Sequence, residues 1–198
     1  MPTFNIEPLA PSQIRELYAQ LLVPSFPVDE LKPLKMIEAA LSRGEYVCYG
    51  AMDGEEALAA AFFVKIVREG RTIMLVDYFA VRADRRCLGI GGRFLRELIA
   101  GPLKGLGAVL LEVDEPAFAD TPEERAHRER RLRFYLRNGL IDTAALATVY
   151  GVTFRLLYLP VGRPLSPDEA RRMYAQLYHA VLPPEVYRQR VFIEGCDG

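Results

Sequence analysis

The segment Arg82-Ala83-Asp84-Arg85-Arg86-Cys87-Leu88-Gly89-Ile90-Gly91-Gly92 gathers the residue types that bind phosphate. Its three glycines remove the side chains that would keep a phosphate away. A helix beginning after them would point free N–H groups and a partial positive charge at the same place. Arg85 and Arg86 add fixed charge. Gly89-Ile90-Gly91 also begins a GxGxxG match, with Glu112 or Asp114 about twenty residues on, as a dinucleotide site wants. Two features oppose that reading. Phe94 stands where the third glycine should allow close helix-strand packing, and seven residues separate Val81 from Gly89. A nucleoside triphosphate loop needs GK[ST] after the glycines, and none follows.

Other side chains that could do chemistry are few. Asp77 and Glu112 are carboxylates on predicted strands, and Tyr135 lies near the end of a predicted helix. His127 and His179 are the only histidines, and neither belongs to a ligand-like cluster, so no metal is expected. Cys48, Cys87 and Cys196 are widely spaced and odd in number, which suits reduced thiols and neither a disulfide framework nor a CxxC site. Cys87, beside Arg86 and close to a helix N-terminus, has the setting for a reactive thiol, although a plain filler residue is the simpler reading.

The elements that must hold these residues can be read from periodicity. Thr3 to Leu9 reads as a strand, and Ile14, Leu17, Tyr18, Leu21 and Leu22 share a helical face that ends near Pro24. Asp29 to Ser42 repeats the helical spacing and stops at Gly44. Tyr46 to Met52, Ala57 to Val67 and Thr72 to Val81 predict a meander of short-looped strands. A helix from Gly91 to Ala100 then crosses to the strand Ala108 to Val113, a βαβ unit. Thr121, Pro122 and Glu124 form the signature of a capping box for a helix reaching about Arg137. Leu140 to Thr143 and Val152 to Leu159 predict two more strands, and Ser166-Pro167-Asp168-Glu169 opens a last helix to about His179. The expected class is α+β: a mixed, mostly antiparallel sheet with one βαβ crossover. Residues 1–198 are expected to form a single domain, with 161–198 a C-terminal helical extension that packs on the core, or serves as a lid or homodimer contact.

Bulk composition narrows the function. Lys and Arg number 25 against 26 Asp and Glu, and this net charge of -1 gives no global field for a polyanion. The helix Pro122 to Arg137 carries six arginines and three glutamates, yet Glu-Arg alternation predicts a self-paired, solvated face. No nucleic acid is expected as partner. The apolar run Ala57 to Val64 is the longest and falls short of a membrane span, and the N-terminus has no signal-peptide pattern. No membrane contact and a cytoplasmic location are therefore expected.

Arg86-Cys87-Leu88-Gly89-Ile90-Gly91 resembles the R/Q-x-x-G-x-G/A signature of GNAT acetyltransferases, and the strand Val76 to Val81 precedes it as that family requires. The order of elements from about Thr3 to Leu159 is similar to the GNAT, or acyl-CoA N-acyltransferase, fold. Cys87 occupies a position where such proteins often carry glycine or a polar residue, and the pattern leaves that position free. The resemblance implies acetyl-CoA as co-substrate. Its pyrophosphate would lie on Arg86, Cys87, Leu88, Gly89, Ile90, Gly91 and Gly92, and its pantetheine arm along the backbone of Phe79, Ala80 and Val81. A backbone N–H there would stabilise the oxyanion. Phe134-Tyr135-Leu136-Arg137-Asn138-Gly139-Leu140 resembles a second GNAT motif, which makes Tyr135 the candidate acid for the departing thiolate. Asp77 and Glu112 are both candidates for the base. The implied reaction moves an acetyl group to a primary amine, of a small molecule or a peptide, by direct attack in a ternary complex. A GNAT module that senses acyl-CoA without turnover is the alternative, and a Rossmann-type oxidoreductase a more distant one. Pro24 to Pro33 and Asp114 to Arg130 are expected to border the acceptor pocket.

Overall fold

A computed structural model describes residues 3–195. Eight strands form one sheet in the order β1-β2-β3-β4-β5-β7-β6-β8, where β1 is Asn5–Pro8, β2 Tyr46–Asp53, β3 Glu56–Arg68, β4 Arg71–Val81, β5 Ala108–Asp114, β6 Ile141–Val149, β7 Val152–Leu159 and β8 Val191–Ile193. The pairings β1·β2, β2·β3, β5·β7, β6·β7 and β6·β8 are antiparallel. Helix α3, Ile90–Ala100, carries the chain from β4 to its sheet neighbour β5, the expected crossover. The α+β class with a mostly antiparallel sheet and one crossover thus stands as read, and the final hairpin places β7 between β5 and β6. So predominantly antiparallel a sheet leaves no doubly wound frame for a Rossmann dinucleotide site.

The chain groups into two compact units. One takes in the chain up to Lys65 together with Val76–Gly101, and the other Ile66–Leu75 together with everything from Pro102. In the first, Ile14, Leu22, Ile37, Phe62, Phe63, Phe94 and Leu98 form the core, each at most 1% exposed. Phe94 explains its departure from a dinucleotide fingerprint. It stacks on Phe79 of β4 with ring centroids 5.6 Å apart and meets the edge of Phe4 at 6.3 Å, so a large side chain is what fixes α3 in place. In the second unit the core runs through Leu103, Val109, Leu110, Leu157, Tyr174 and Leu177.

Several local elements differ from expectation, each for a physical reason. The first helix is α1, Pro11–Leu17, and its last turn, Tyr18–Leu22, is a π-helix in which Val23 N–H bonds the Tyr18 carbonyl at 3.0 Å. The second helix does not start at Asp29. Pro33 lacks an N–H and disfavours helical geometry before it, so a 3-10 turn at Val28–Glu30 gives way to extended backbone at Leu31, and α2 spans Leu34–Ser42. Helix α4, Pro122–Arg137, begins as predicted, with Thr121 Oγ1 accepting from Glu124 N–H at 3.1 Å. The returning half of the box goes one residue further, for the Glu124 carboxylate accepts from Asp120 N–H at 2.9 Å.

β6 is much longer than Leu140 to Thr143. A register irregularity between Asp142 and Leu146, with Ala144 at φ 57°, lets the alanine-rich run continue as strand, and the turn Tyr150-Gly151 at φ 50° and 85° closes the hairpin. After Val161, helix α5, Pro167–Val181, opens with the full capping box of Ser166 and Glu169. Helix α6, Pro184–Arg190, and β8 follow, and β8 pairs with β6. A seven-residue helix and a three-residue strand are too short for periodicity to reveal. Cys196 lies outside the described residues. Among the described residues no helix is long and apolar enough to cross a membrane.

Phe94→Ala is expected to cost about 3–5 kcal/mol, the range for emptying a buried aromatic site. Urea denaturation of the variant beside the parent chain measures it, and a cost below 1 kcal/mol would mean that α3 is not anchored through Phe94.

Candidate active site

Within the first unit β4 ends at Val81 and the chain turns through a 3-10 helix at Ala83–Arg85, leaves it extended at Arg86, and enters α3 from Gly89. Gly89 is the N-cap, at φ 78° and ψ 0°, and no side chain caps the helix. A Cβ built on Gly89 would have nothing within 4 Å, so this end faces open space. The first N–H groups of a helix have no intrahelical acceptor. At α3 neither a Ser, Thr, Asp nor Asn supplies one, which leaves donors and the positive dipole end for an anion.

The arginines of the loop have separate jobs. Arg82 pairs with Glu56 through Nη1 and forks onto Asp84 at 3.1 Å through both Nε and Nη2. That fork holds the Asp84 carboxyl below its ordinary range. Arg85 lies 3.8 Å from Glu56 and 3.6 Å from Asp84, so much of its charge is met within the protein, yet its buried Nε–H has no hydrogen-bond partner among the described residues. Arg86 is held by neutral oxygens, donating to Val81 O and to Ser25 Oγ at 3.2 Å each, and keeps its charge for an outside anion. Of the two loop arginines singled out from sequence, Arg86 is therefore the better anion ligand. Sequence reading missed Ser25 and Glu56, which are far from the loop in the chain and carry no motif.

Cys87 is exposed and adopts φ 63°, a left-handed conformation that is unfavourable for a side chain with a Cβ. This gives physical content to the departure noted at that position. Ile90, Gly91 and Gly92 are buried in the first turn of α3. Phe79 and Val81 are half-buried and Ala80 is 5% exposed, so the strand bearing the predicted pantetheine contacts is packed.

Upstream on the same strand, Asp77 is far from a lone base. Its side chain is 12% exposed and accepts from both Lys32 Nζ and Tyr46 Oη. Tyr78, its neighbour, accepts from the Lys32 backbone N–H at 2.8 Å and donates to Glu30 O at 3.0 Å, while Tyr18 Oη donates to Lys32 O at 2.9 Å. Burial, reinforced by Asp77, pushes the phenols of Tyr46 and Tyr78 upward, so both stay protonated donors at neutral pH. Pro24 to Pro33, expected to border an acceptor pocket, is thus the segment that brings Lys32 to Asp77.

The remaining candidates lie in the second unit. Glu112 of β5 accepts from Tyr174 Oη and, at 2.7 Å, from Tyr178 Oη, both on α5. The C-terminal helix therefore docks by gripping a candidate base, a contact that no local sequence pattern announces. Tyr135, near the end of α4, is 3% exposed with its ring 5.2 Å from Phe134. Glu115, just after β5 and 6% exposed, pairs with Arg155 of β7 at 2.7 Å and accepts through its carbonyl from Arg128 of α4 at 3.0 Å, while Arg155 reaches Asp142 at 3.0 Å. Two of the six arginines of α4 pair with glutamates of the same helix, Arg128 with Glu124 at 2.6 Å and Arg133 with Glu129 at 3.3 Å, while Arg131 reaches Asp114 of β5 at 3.2 Å.

Comparison with protein-family models gives no match, and comparison with curated proteins by sequence gives none either. Solved structures do match. A GNAT-family protein from Bacteroides thetaiotaomicron superposes with a TM-score of 0.66 at 19% identity, covering 89% of this chain and 97% of that one. NAA60 of Arabidopsis thaliana, solved with a bisubstrate analogue, gives 0.58 at 16% identity over 79% and 97%. An acetyltransferase of Bacillus subtilis in complex with CoA gives 0.53 at 18% identity over 79% and 98%. At such identities the likeness establishes the GNAT fold.

The strain at Cys87 predicts that Cys87→Gly raises stability by about 0.5–1 kcal/mol, the cost of a left-handed Cβ residue partly offset by the freedom glycine gives the unfolded chain. Cys87→Val should instead lower it by about 1–2 kcal/mol. Chemical denaturation of both variants checks this ordering, and the reverse order would show that the loop relaxes around any side chain.

Proposed function

We propose that this chain is an N-acetyltransferase of the GNAT type, moving the acetyl group of acetyl-CoA to a primary amine of a small molecule or peptide. The observation that carries the reading is the uncapped, glycine-led N-terminus of α3 beside Arg86, which is built to receive a diphosphate. It sits at the strand-to-helix junction of a fold shared with proteins solved with CoA or a bisubstrate analogue. In this reading the loop Arg86–Gly92 holds the pyrophosphate and the backbone of Phe79, Ala80 and Val81 pairs with the pantetheine arm.

The amine attacks the thioester carbonyl directly, a backbone N–H of that strand steadies the oxyanion, and the C–S bond breaks as the amide forms. Asp77 or Glu112 takes the proton lost by the amine, and Tyr135 supplies one to the thiolate. No step calls on a metal, and no group of His, Cys, Asp and Glu side chains among the described residues gathers to hold one.

A second reading, acyl-CoA sensing without turnover, is favoured by one observation: each candidate base already accepts from other side chains, Asp77 from Lys32 and Tyr46, and Glu112 from Tyr174 and Tyr178. Thiol release from acetyl-CoA with a panel of amines decides between the two. Release above background is expected for transfer, and acetyl-CoA binding without release for sensing. Gly91→Asp, which puts a side chain and a negative charge into the first turn of α3, should abolish binding in either case. Unchanged affinity would remove the loop from the site. Tyr135→Phe should lower kcat by about tenfold or more with little change in KM for acetyl-CoA, and equal turnover would make the tyrosine structural.

A further inference from the structure

The environment of Lys32 has a property that a structural ion pair does not require. The backbone of this residue is clamped on both sides by phenols, its N–H by Tyr78 and its carbonyl by Tyr18. The side chain is thereby delivered to Asp77, and both backbone clamps are independent of its ammonium. Asp77 is 12% exposed and the Lys32 side chain 42%. The carboxylate thus lies recessed while the ammonium that covers it remains open to solvent. Tyr46, 5% exposed, completes the recess by donating to the second carboxylate oxygen. The result is a carboxylate fixed by a buried phenol and filled by one primary ammonium at the end of an unbranched alkyl chain.

Asp77 is two residues from Phe79, about 7 Å along a strand, and Phe79 begins the stretch assigned above to the pantetheine arm. We infer that Asp77 and Tyr46 form the acceptor-ammonium site of the transferase, that Lys32 fills it from within the chain, and that a primary alkylammonium acceptor replaces Lys32 there. This inference rests on the acetyltransferase reading. The substrate class it names is an unbranched aliphatic amine, charged in solution, such as a lysine side chain or an alkylamine.

Because one ammonium takes the place of another, the recessed carboxylate stays paired throughout the exchange, and the solvent-open side of the pair admits it. A tethered amine competes at an effective concentration on the order of millimolar, which an acceptor must match. On exchange, Asp77 takes one proton of the incoming ammonium and the neutral nitrogen forms the bond to the acetyl carbon; as the C–S bond breaks, the second proton leaves the nitrogen and the thiolate takes up one, so that an amide and CoA thiol result. The same contact makes Lys32 a brake whose strength falls as acceptor rises.

Lys32→Met tests this, because it keeps the length of the side chain and both backbone clamps while removing the ammonium. With butylamine as probe, KM is expected to fall by roughly tenfold, as removal of an internal competitor requires, with the Kd of acetyl-CoA unchanged within about twofold. Asp77→Asn should raise KM for butylamine. A second readout needs no turnover: butylammonium should raise the Tm of Lys32→Met more than that of the parent chain, and tetramethylammonium, which has no N–H to donate, should raise neither. An unchanged KM for butylamine together with no butylammonium-dependent rise in Tm overturns the inference. Thiol release from no amine by the parent chain, with acetyl-CoA bound, overturns the transferase reading. In that event a butylammonium-specific rise in Tm still upholds the ammonium site, and its absence removes that as well.

Discussion

The first N–H groups of α3 have no intrahelical carbonyl to bond, and among the described residues no side-chain cap bond is made at Gly89. Everything around this terminus is arranged to keep it open and fixed. Gly89 accepts the left-handed turn into the helix, Phe94 locks the helix against β4 by stacking on Phe79, and Arg86 is pinned by Val81 and Ser25 so that its charge stays beside the opening. An uncapped helix end costs stability unless a ligand satisfies it. The loop keeps that cost and adds the conformational strain of Cys87, and such strain concentrates where a ligand is held.

Ion pairing around the loop decides which charges remain for that ligand. Glu56 and Asp84 consume Arg82 and much of Arg85, whereas among the described residues Arg86 is held by the neutral oxygens of Val81 and Ser25. The same division of labour recurs further up β4. There Asp77 is matched by Lys32 and Tyr46, a pairing that fixes the carboxylate while leaving its ammonium partner in reach of solvent. In the second unit α5 performs a comparable service for Glu112 through Tyr174 and Tyr178. The segment after Val161 is consequently more than an appendage, since it grips one candidate base and through β8 adds an edge strand to β6.

Sequence made the frame legible because its signals are local. The meander, the crossover helix, the start of α4 at Thr121 and the glycine loop each depend on neighbours within a few residues. What escaped it is non-local or too short. Pro33 was visible, yet helical spacing on both sides of it hid the break that creates the extended approach to Lys32. The alanines of β6 have little strand propensity; Ala147 is held by pairing to both β7 and β8, while Ala144 and Ala145 sit in the register irregularity. The partners of Asp77 and Glu112 lie between about 30 and 66 residues away, and no spacing rule connects a carboxylate to a phenol at that distance. The sequence around Cys87 points to its thiol, whereas its backbone conformation is the physical peculiarity.

Acetyl transfer from acetyl-CoA by this chain requires the N-terminus of α3 to be a diphosphate site. Backbone amide NMR of nitrogen-15-labelled protein during a titration with CoA tests this directly, because an N–H that gains a charged acceptor shifts strongly. The amides of Leu88 to Gly92 are predicted to show the largest shifts, saturating together with those of Phe79 to Val81. CoA binding that leaves Leu88 to Gly92 unmoved, or an absence of binding, would contradict it.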